Sequence, residues 1–254
     1  MANDSTGEAE GGAIALVGSG EYTPAMVETD RYLLATLGGP PAARVALIPT
    51  ASGREPDSPQ RWNEMGMRHF SALGVPDVRP VEITDRAGAE DPVQAAQLAD
   101  ANYIYFSGGD PSYLIETLRA TAAWAAIEHA RAAGAVLAGC SAGAMAMGAY
   151  TLSLRAAREG GRVGPIRAWA VVPGVVVFPH FDRMAGFIGP DWLDRALGAL
   201  PAEVMPLGID EDTALVQIDA ARRRWRVMGR QAVHLLAVGG AEQELRAGDE
   251  VELR

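Results

Sequence analysis

The run Gly139-Cys140-Ser141-Ala142-Gly143-Ala144 sets a hydroxyl inside a Gly-x-Ser-x-Gly turn, directly after the apolar stretch 134–138. Between a strand and a helix, that pattern is a nucleophile elbow. The turn is tight enough that the positions flanking the serine need small residues. It lifts the Ser141 hydroxyl above the sheet and aims backbone N–H groups at the oxyanion that forms when a carbonyl is attacked. Cys140 is the rival nucleophile, but the position before the serine points back into the fold. A buried small hydrophobe is the role that suits it.

A serine nucleophile needs a base, and the base needs an orienting acid. Four histidines are available: His69, His129, His180 and His234. His69 and His129 fall on helical stretches, as surface or helix-packing residues. His180 ends the apolar run 175–178, at the carboxyl end of a strand, where open α/β sheets place their ligands. His234 lies within the apolar run 232–238, as a buried or edge-strand residue. For the acid, Asp210, Glu211 and Asp212 are consecutive, and such a triplet repels itself unless one member is neutralised by a partner. Strand alternation sets Glu211 opposite Asp210 and Asp212, without saying which face looks at Ser141. A second small turn, Ser107-Gly108-Gly109-Asp110-Pro111, can offer a backbone N–H to an anion. The turn Gly18-Ser19-Gly20-Glu21 is no Gly-x-Gly-x-x-Gly fingerprint and supports no dinucleotide site.

These residues must be held by alternating short apolar runs and longer amphipathic ones, the pattern of a mostly parallel sheet covered by helices. Strands are expected at 13–17, 44–49, 78–83, 103–106 and 135–138. Helices are expected at about 24–37, 60–73, 92–99, 111–119 and 121–133. Pro24, Pro92 and Pro111 sit where a proline suits a first helical turn. Past Leu152 the texture changes. Residues 155–167, rich in Gly and Arg, read as an exposed excursion. A strand at 175–178, a helix near 192–200 and strand-like runs at 214–218, 225–228 and 232–238 follow. The last of these, with 250–253, read as hairpins that extend or flank the sheet. The expectation is a flexible leader over residues 1–12 and one α/β domain over 13–254.

The chain has 254 residues, 48% of them apolar and 21% charged, enough for a full core and against global disorder. Its 22 basic and 32 acidic side chains give a net charge of −10, which argues against a nucleic-acid partner. No apolar stretch approaches the roughly 20 residues of a membrane span, and the polar, acidic start lacks a secretory pattern. A cytoplasmic protein is expected. The single cysteine excludes an internal disulfide and a cysteine-rich zinc site. All the basic residues are Arg, which excludes chemistry that needs a lysine.

Taken together, Phe106-Ser107-Gly108-Gly109-Asp110, the elbow, His180-Phe181 and Gly208-Ile209-Asp210-Glu211-Asp212-Thr213-Ala214 resemble the S51 serine peptidase family, of cyanophycinase and peptidase E type. The resemblance implies a three-layer, mostly parallel, doubly wound sheet of the class I glutamine amidotransferase-like type. It also implies Ser141 as nucleophile, His180 as base, Glu211 as the acid behind it, and the Gly109 and Ala142 N–H groups as the oxyanion hole. Asp110 and Arg183 become candidate substrate contacts, Arg183 as a cation for an acidic side chain. The chain departs from the cyanophycinase pattern at Pro111 and Phe178-Pro179, where polar residues hold that substrate. The expected activity is therefore that of a serine exopeptidase or related amide hydrolase on small peptides other than cyanophycin, through an acyl-enzyme and with no cofactor. The competing readings are an esterase using Ser141, Asp210 and His234, and a non-catalytic binding protein of the same fold. The excursion and the C-terminal hairpins are the surfaces offered for a homodimer contact or a lid.

Overall fold

The computed structural model describes residues 11–152, 164–188, 190–236 and 243–253. Residues 1–10 of the expected leader, 155–163 of the excursion and 237–238 of the last apolar run lie outside them. The first half alternates as expected: strands β1 (Ile14–Val17), β2 (Arg44–Ile48), β3 (Asp77–Pro80), β4 (Tyr103–Phe106) and β5 (Val136–Cys140). Between them lie helices α1 (Val27–Thr36), α2 (Ser58–Ala72), α3 (Arg86–Ala89), α4 (Pro92–Asp100), α5 (Pro111–Leu118) and α6 (Ala122–Ala132). The start signals act through side chains. The Asp91 carboxylate accepts the Val93 N–H at 2.8 Å ahead of α4, and Thr121 Oγ1 accepts that of Trp124 at 3.3 Å ahead of α6. The helix expected from Pro24 splits, with Pro24–Met26 forming a 3₁₀ turn before α1.

These five strands run parallel in the order β3-β2-β4-β5-β1. Alternation divides their side chains between two cores. Ala15, Val17, Val45 and Leu47 pack under α1 and α2, with Leu33, Leu34 and Phe70. Ile14, Leu16, Ala46 and Ile48 pack on the other face, with Leu98 of α4, Leu114 of α5 and Ile127 of α6.

The second half continues as α7 (Ala142–Met147), β6 (Tyr150–Leu152), β7 (Pro165–Arg167), β8 (Val175–Pro179), α8 (Phe181–Ile188), α9 (Pro190–Gly198) and β9 (Met205–Ile209). It ends in β10 (Thr213–Asp219), β11 (Arg224–Gly229), β12 (Ala232–Leu235), β13 (Gln243–Arg246) and β14 (Glu250–Glu252). Here the expected hairpins divide between extending the sheet and flanking it. Only β10, β11 and β14 extend the main sheet, antiparallel beyond β1. The hairpin β12-β13 instead joins β8 and β9 in a separate sheet, ordered β13-β12-β9-β8. The physical reason is burial: Val175, Val177, Leu207, Ile209 and Val233 of this sheet pack into the same core as Ile14, Leu16 and Leu215 of the main one. Ending on two sheets packed together removes more apolar surface from water than a longer single sheet would.

Candidate active site

Ser141 follows β5 as the residue before α7, with φ 51° and ψ −108°. A non-glycine residue with positive φ is strained by about 1–3 kcal/mol, and the surrounding packing must hold it there. The holding is visible. The Ser141 N–H donates to Val17 O at 2.9 Å, and Ser141 O accepts from the Met145 N–H at 3.0 Å. The elbow glycines are there for close approach. A Cβ on Gly139 would fall 2.6 Å from the Gly143 carbonyl carbon, and one on Gly143 would fall 2.5 Å from Phe106 O.

His180 leaves the end of β8, also at positive φ, 50°. Its Nε2 lies 3.0 Å from Ser141 Oγ, and its Nδ1 lies 2.9 Å from Glu211 Oε1. Glu211 stands in the turn between β9 and β10. Its backbone N–H donates to Asp182 Oδ1 at 2.9 Å, and its carbonyl accepts from Gln231 Nε2 at 2.9 Å. The chain Ser141–His180–Glu211 therefore bridges the two sheets.

The second small turn reaches the same place. Gly109 has φ 145°, and a Cβ there would sit 2.4 Å from the Ala51 carbonyl, so the position is closed to any side chain. The next residue is tied down as well, Asp110 N–H donating to Ala51 O at 2.8 Å. A Cβ on Gly108 would lie 3.5 Å from Ser141 Cβ and 3.9 Å from Oγ, which puts this turn beside the hydroxyl. On the other side Ala142 opens α7, and an N–H in a first helical turn has no intrahelical acceptor.

The other expected residues occupy distinct positions. Asp110 is the N-cap of α5, its Oδ1 accepting the N–H groups of Ser112 at 2.9 Å and Tyr113 at 3.1 Å. Arg183 is 63% exposed and lies 3.4 Å from Asp182 and 3.7 Å from Glu211 Oε2. Asp210 and His234 do meet, at 3.0 Å, but as a second pair. The Asp210 carboxylate also takes the Ala232 N–H at 3.1 Å, and the imidazole beside Ser141 is His180. His69 is buried against Asp30 at 2.8 Å, whereas His129 is exposed. Cys140 is fully buried, as its place in the elbow requires. Desolvation first, then the adjacent Glu21 carboxylate, push its thiol well above the ordinary range. Among the described residues no group of three or more His, Cys, Asp or Glu side chains is arranged to hold a metal ion.

Sequence reasoning missed Asp182 and Gln231, which fix the Glu211 backbone, and Glu21, whose carboxylate lies behind the elbow. The adjacency of Asp182 to His180-Phe181 was the available signal for the first. For Gln231 there was none.

Residues 14–223 match the sequence model of peptidase family S51. The chain belongs to peptidase family S51. This S51 chain is 32% identical over 203 residues to a cyanophycinase of Synechococcus elongatus, the match covering 76% of the chain and 58% of that protein. A cyanophycinase of Trichormus variabilis is 28% identical over 206 residues, covering 78% and 64%. The S51 chain thus spans less than two thirds of the length of these curated relatives. Among solved structures it is similar to a peptidase from an acI-B1 actinobacterium, with 34% identity, a TM-score of 0.84, and 97% and 98% of the two chains covered. A putative peptidase E protein from Listeria monocytogenes shares the fold, at 18% identity and a TM-score of 0.57 over 93% and 100%. The S51 fold is thereby the α/β architecture with a large, mostly parallel central sheet. Among the described residues no helix is long and apolar enough to cross a membrane.

Proposed function

We propose that this chain is a serine peptidase acting on small peptides or amides, as an exopeptidase, through a Ser141-His180-Glu211 triad. The observation that carries the reading is the continuous pair of contacts, 3.0 Å from Ser141 Oγ to His180 Nε2 and 2.9 Å from His180 Nδ1 to Glu211 Oε1. Ser141 Oγ attacks the scissile carbonyl as its proton passes to Nε2. Glu211 accepts the Nδ1–H, which keeps Nε2 free to take that proton and stabilises the imidazolium. The carbonyl oxygen, now negative, is met by the N–H groups of Gly109 and Ala142. The imidazolium returns its proton to the leaving amine, and the acyl-enzyme remains on Ser141. Water deprotonated by His180 then releases the acid and restores the serine.

The name of the cyanophycinase relatives does not settle the substrate of this chain, and its own residues favour another one. Phe178 and Pro179 are buried in β8, with Phe178 edge-on to Trp192, and Pro111 opens α5 behind the Asp110 cap. The side chains there are apolar and packed inside the fold, so they offer none of the hydrogen-bonding partners that a polar polymer such as cyanophycin needs. Arg183 is the proposed cation for an acidic side chain or terminal carboxylate of a small peptide, with Asp110 at the rim.

The test is an activity-based fluorophosphonate, its adduct mapped by mass spectrometry in wild type, His180→Ala and His234→Ala. The expected adduct is on Ser141, retained in His234→Ala and lost in folded His180→Ala. Dependence on His234 instead would transfer the chemistry to the Ser141, Asp210, His234 reading. A wild-type protein that leaves Ser141 unmodified would overturn the peptidase assignment.

A further inference from the structure

Glu21 is an acidic residue almost wholly withdrawn from water, 6% exposed, in the turn after β1. Neither oxygen is idle. Oε1 accepts the backbone N–H of Gly108 at 3.0 Å, and Oε2 accepts the Cys140 thiol at 2.9 Å. Burying a carboxylate is expensive unless it is hydrogen-bonded, so the position needs a reason. The two donors supply one: Gly108 immediately precedes Gly109, and Cys140 immediately precedes Ser141. One side chain from the turn after β1 thus holds the turn after β4 and the turn after β5 at a fixed separation. The thiol is a good tether because burial and the neighbouring carboxylate keep it protonated and donating.

We infer that Glu21 is a positioning residue, a buried strut that sets the spacing between the Gly109 and Ala142 N–H groups around Ser141. This rests on the serine peptidase reading and deepens it. An oxyanion hole assembled from two separate loops works only when both donors sit about 3 Å from one oxygen. Gly109 is packed against Ala51, and Ser141 is tied to Val17. Those contacts anchor each loop to its own strand neighbour. The Glu21 carboxylate joins the loops to each other. The Glu21 carboxylate bonds the Gly108 N–H and the Cys140 thiol, neither of them a group of the proposed triad, so its influence passes through the two turns.

The experiment uses the full chain and the fluorophosphonate, whose phosphoryl oxygen needs the same two donors, and separates kinact from KI at Ser141. Glu21→Gln keeps the shape, an acceptor for Gly108 and a group able to face the thiol, and is expected within about threefold of wild type. Glu21→Asp keeps the charge but is one methylene too short to reach both donors. Its kinact is expected to fall at least tenfold, with KI within threefold and the far-UV spectrum unchanged. Glu21→Ala is expected to fall about 10–100-fold, short of or comparable to deletion of a donor. Should the alanine variant fail to fold, the contrast between Asp and Gln still decides. An Asp variant as fast as wild type overturns the strut, because reach would then not matter, and so does a Gln variant as slow as the Asp one, because a side chain of full length would then not hold the two turns. A wild-type protein unreactive at Ser141 overturns the peptidase reading itself.

Discussion

Two of the three residues of the proposed triad sit in backbone conformations that L-residues avoid, Ser141 at φ 51° and His180 at φ 50°. Each strained residue turns its side chain off the end of a strand, toward the other. In the proposed mechanism Glu211 has the different task of holding one tautomer, and its own backbone is fixed by Asp182 and Gln231. That division predicts an asymmetric result for an isosteric change. In Glu211→Gln the amide nitrogen can face Nδ1, which favours the tautomer carrying its proton on Nε2, opposed to Ser141. Phosphonylation of Ser141 is expected to drop about 10³–10⁴-fold, as for loss of the orienting carboxylate in a serine triad, with little change in melting temperature. A loss below tenfold in a stopped-assay rate comparison would remove Glu211 from the triad and leave His180 oriented by its backbone alone.

At the scale of elements, the site depends on how closely α7 approaches β5 and β4. Gly143 has Phe106 O where a Cβ would go, at 2.5 Å, and backbone is slow to give way. Gly143→Ala is expected to cost about 1–3 kcal/mol of stability by overpacking. It should also slow labelling of Ser141 more than tenfold, because displacing α7 moves the Ala142 N–H by a fraction of an ångström or more. Thermal melts and labelling rates measure both, and a variant unchanged in either shows that α7 has slack. This element was readable in advance because the elbow is contiguous: strand, turn and helix lie within a dozen residues. His180 was readable to a lesser degree, as the end of an apolar run. Glu211 was not separable from Asp210 by alternation, because the triplet occupies the turn between β9 and β10. Asp210 is instead claimed by His234 and the Ala232 N–H, through the pairing of β9 with β12. Glu21 was hidden by distance, its partners lying 87 and 119 positions along the chain. The second sheet was hidden for a related reason. The runs forming β8 and β9 are as apolar as β1 or β5, and apolarity says that a strand is buried without naming its neighbour.

The whole molecule puts Ser141 at a strand end of one sheet and His180 at a strand end of the other, with Glu211 in the turn between the two sheets, so the proposed triad is only as stable as the core they share. That core is continuous: Leu16, Leu215 and Trp225 of the main sheet share it with Val177, Leu207 and Val233 of the second. The opposite core, under α1 and α2, contains Tyr22, Tyr103 and Tyr105. Burial is the first cause, and nearby buried acids add to it, in raising all three phenols well above their ordinary value of 10.0. The sign follows from proton release. The folded state keeps these phenols neutral while the unfolded chain ionises them, so their contribution is complete below about pH 10 and declines as pH rises above it. Three such groups make stability fall by up to about 4 kcal/mol per pH unit. The expected outcome is alkaline unfolding in a single step, with the phenolate absorbance of these residues rising together with the loss of far-UV circular dichroism. Phenolate absorbance that completes its rise while the dichroism persists would mean that water reaches the tyrosine core in the folded state. Two separated dichroism steps would mean that the sheet carrying His180 and Glu211 unfolds apart from the one carrying Ser141, and that the core shared between them does not couple the two halves of the triad.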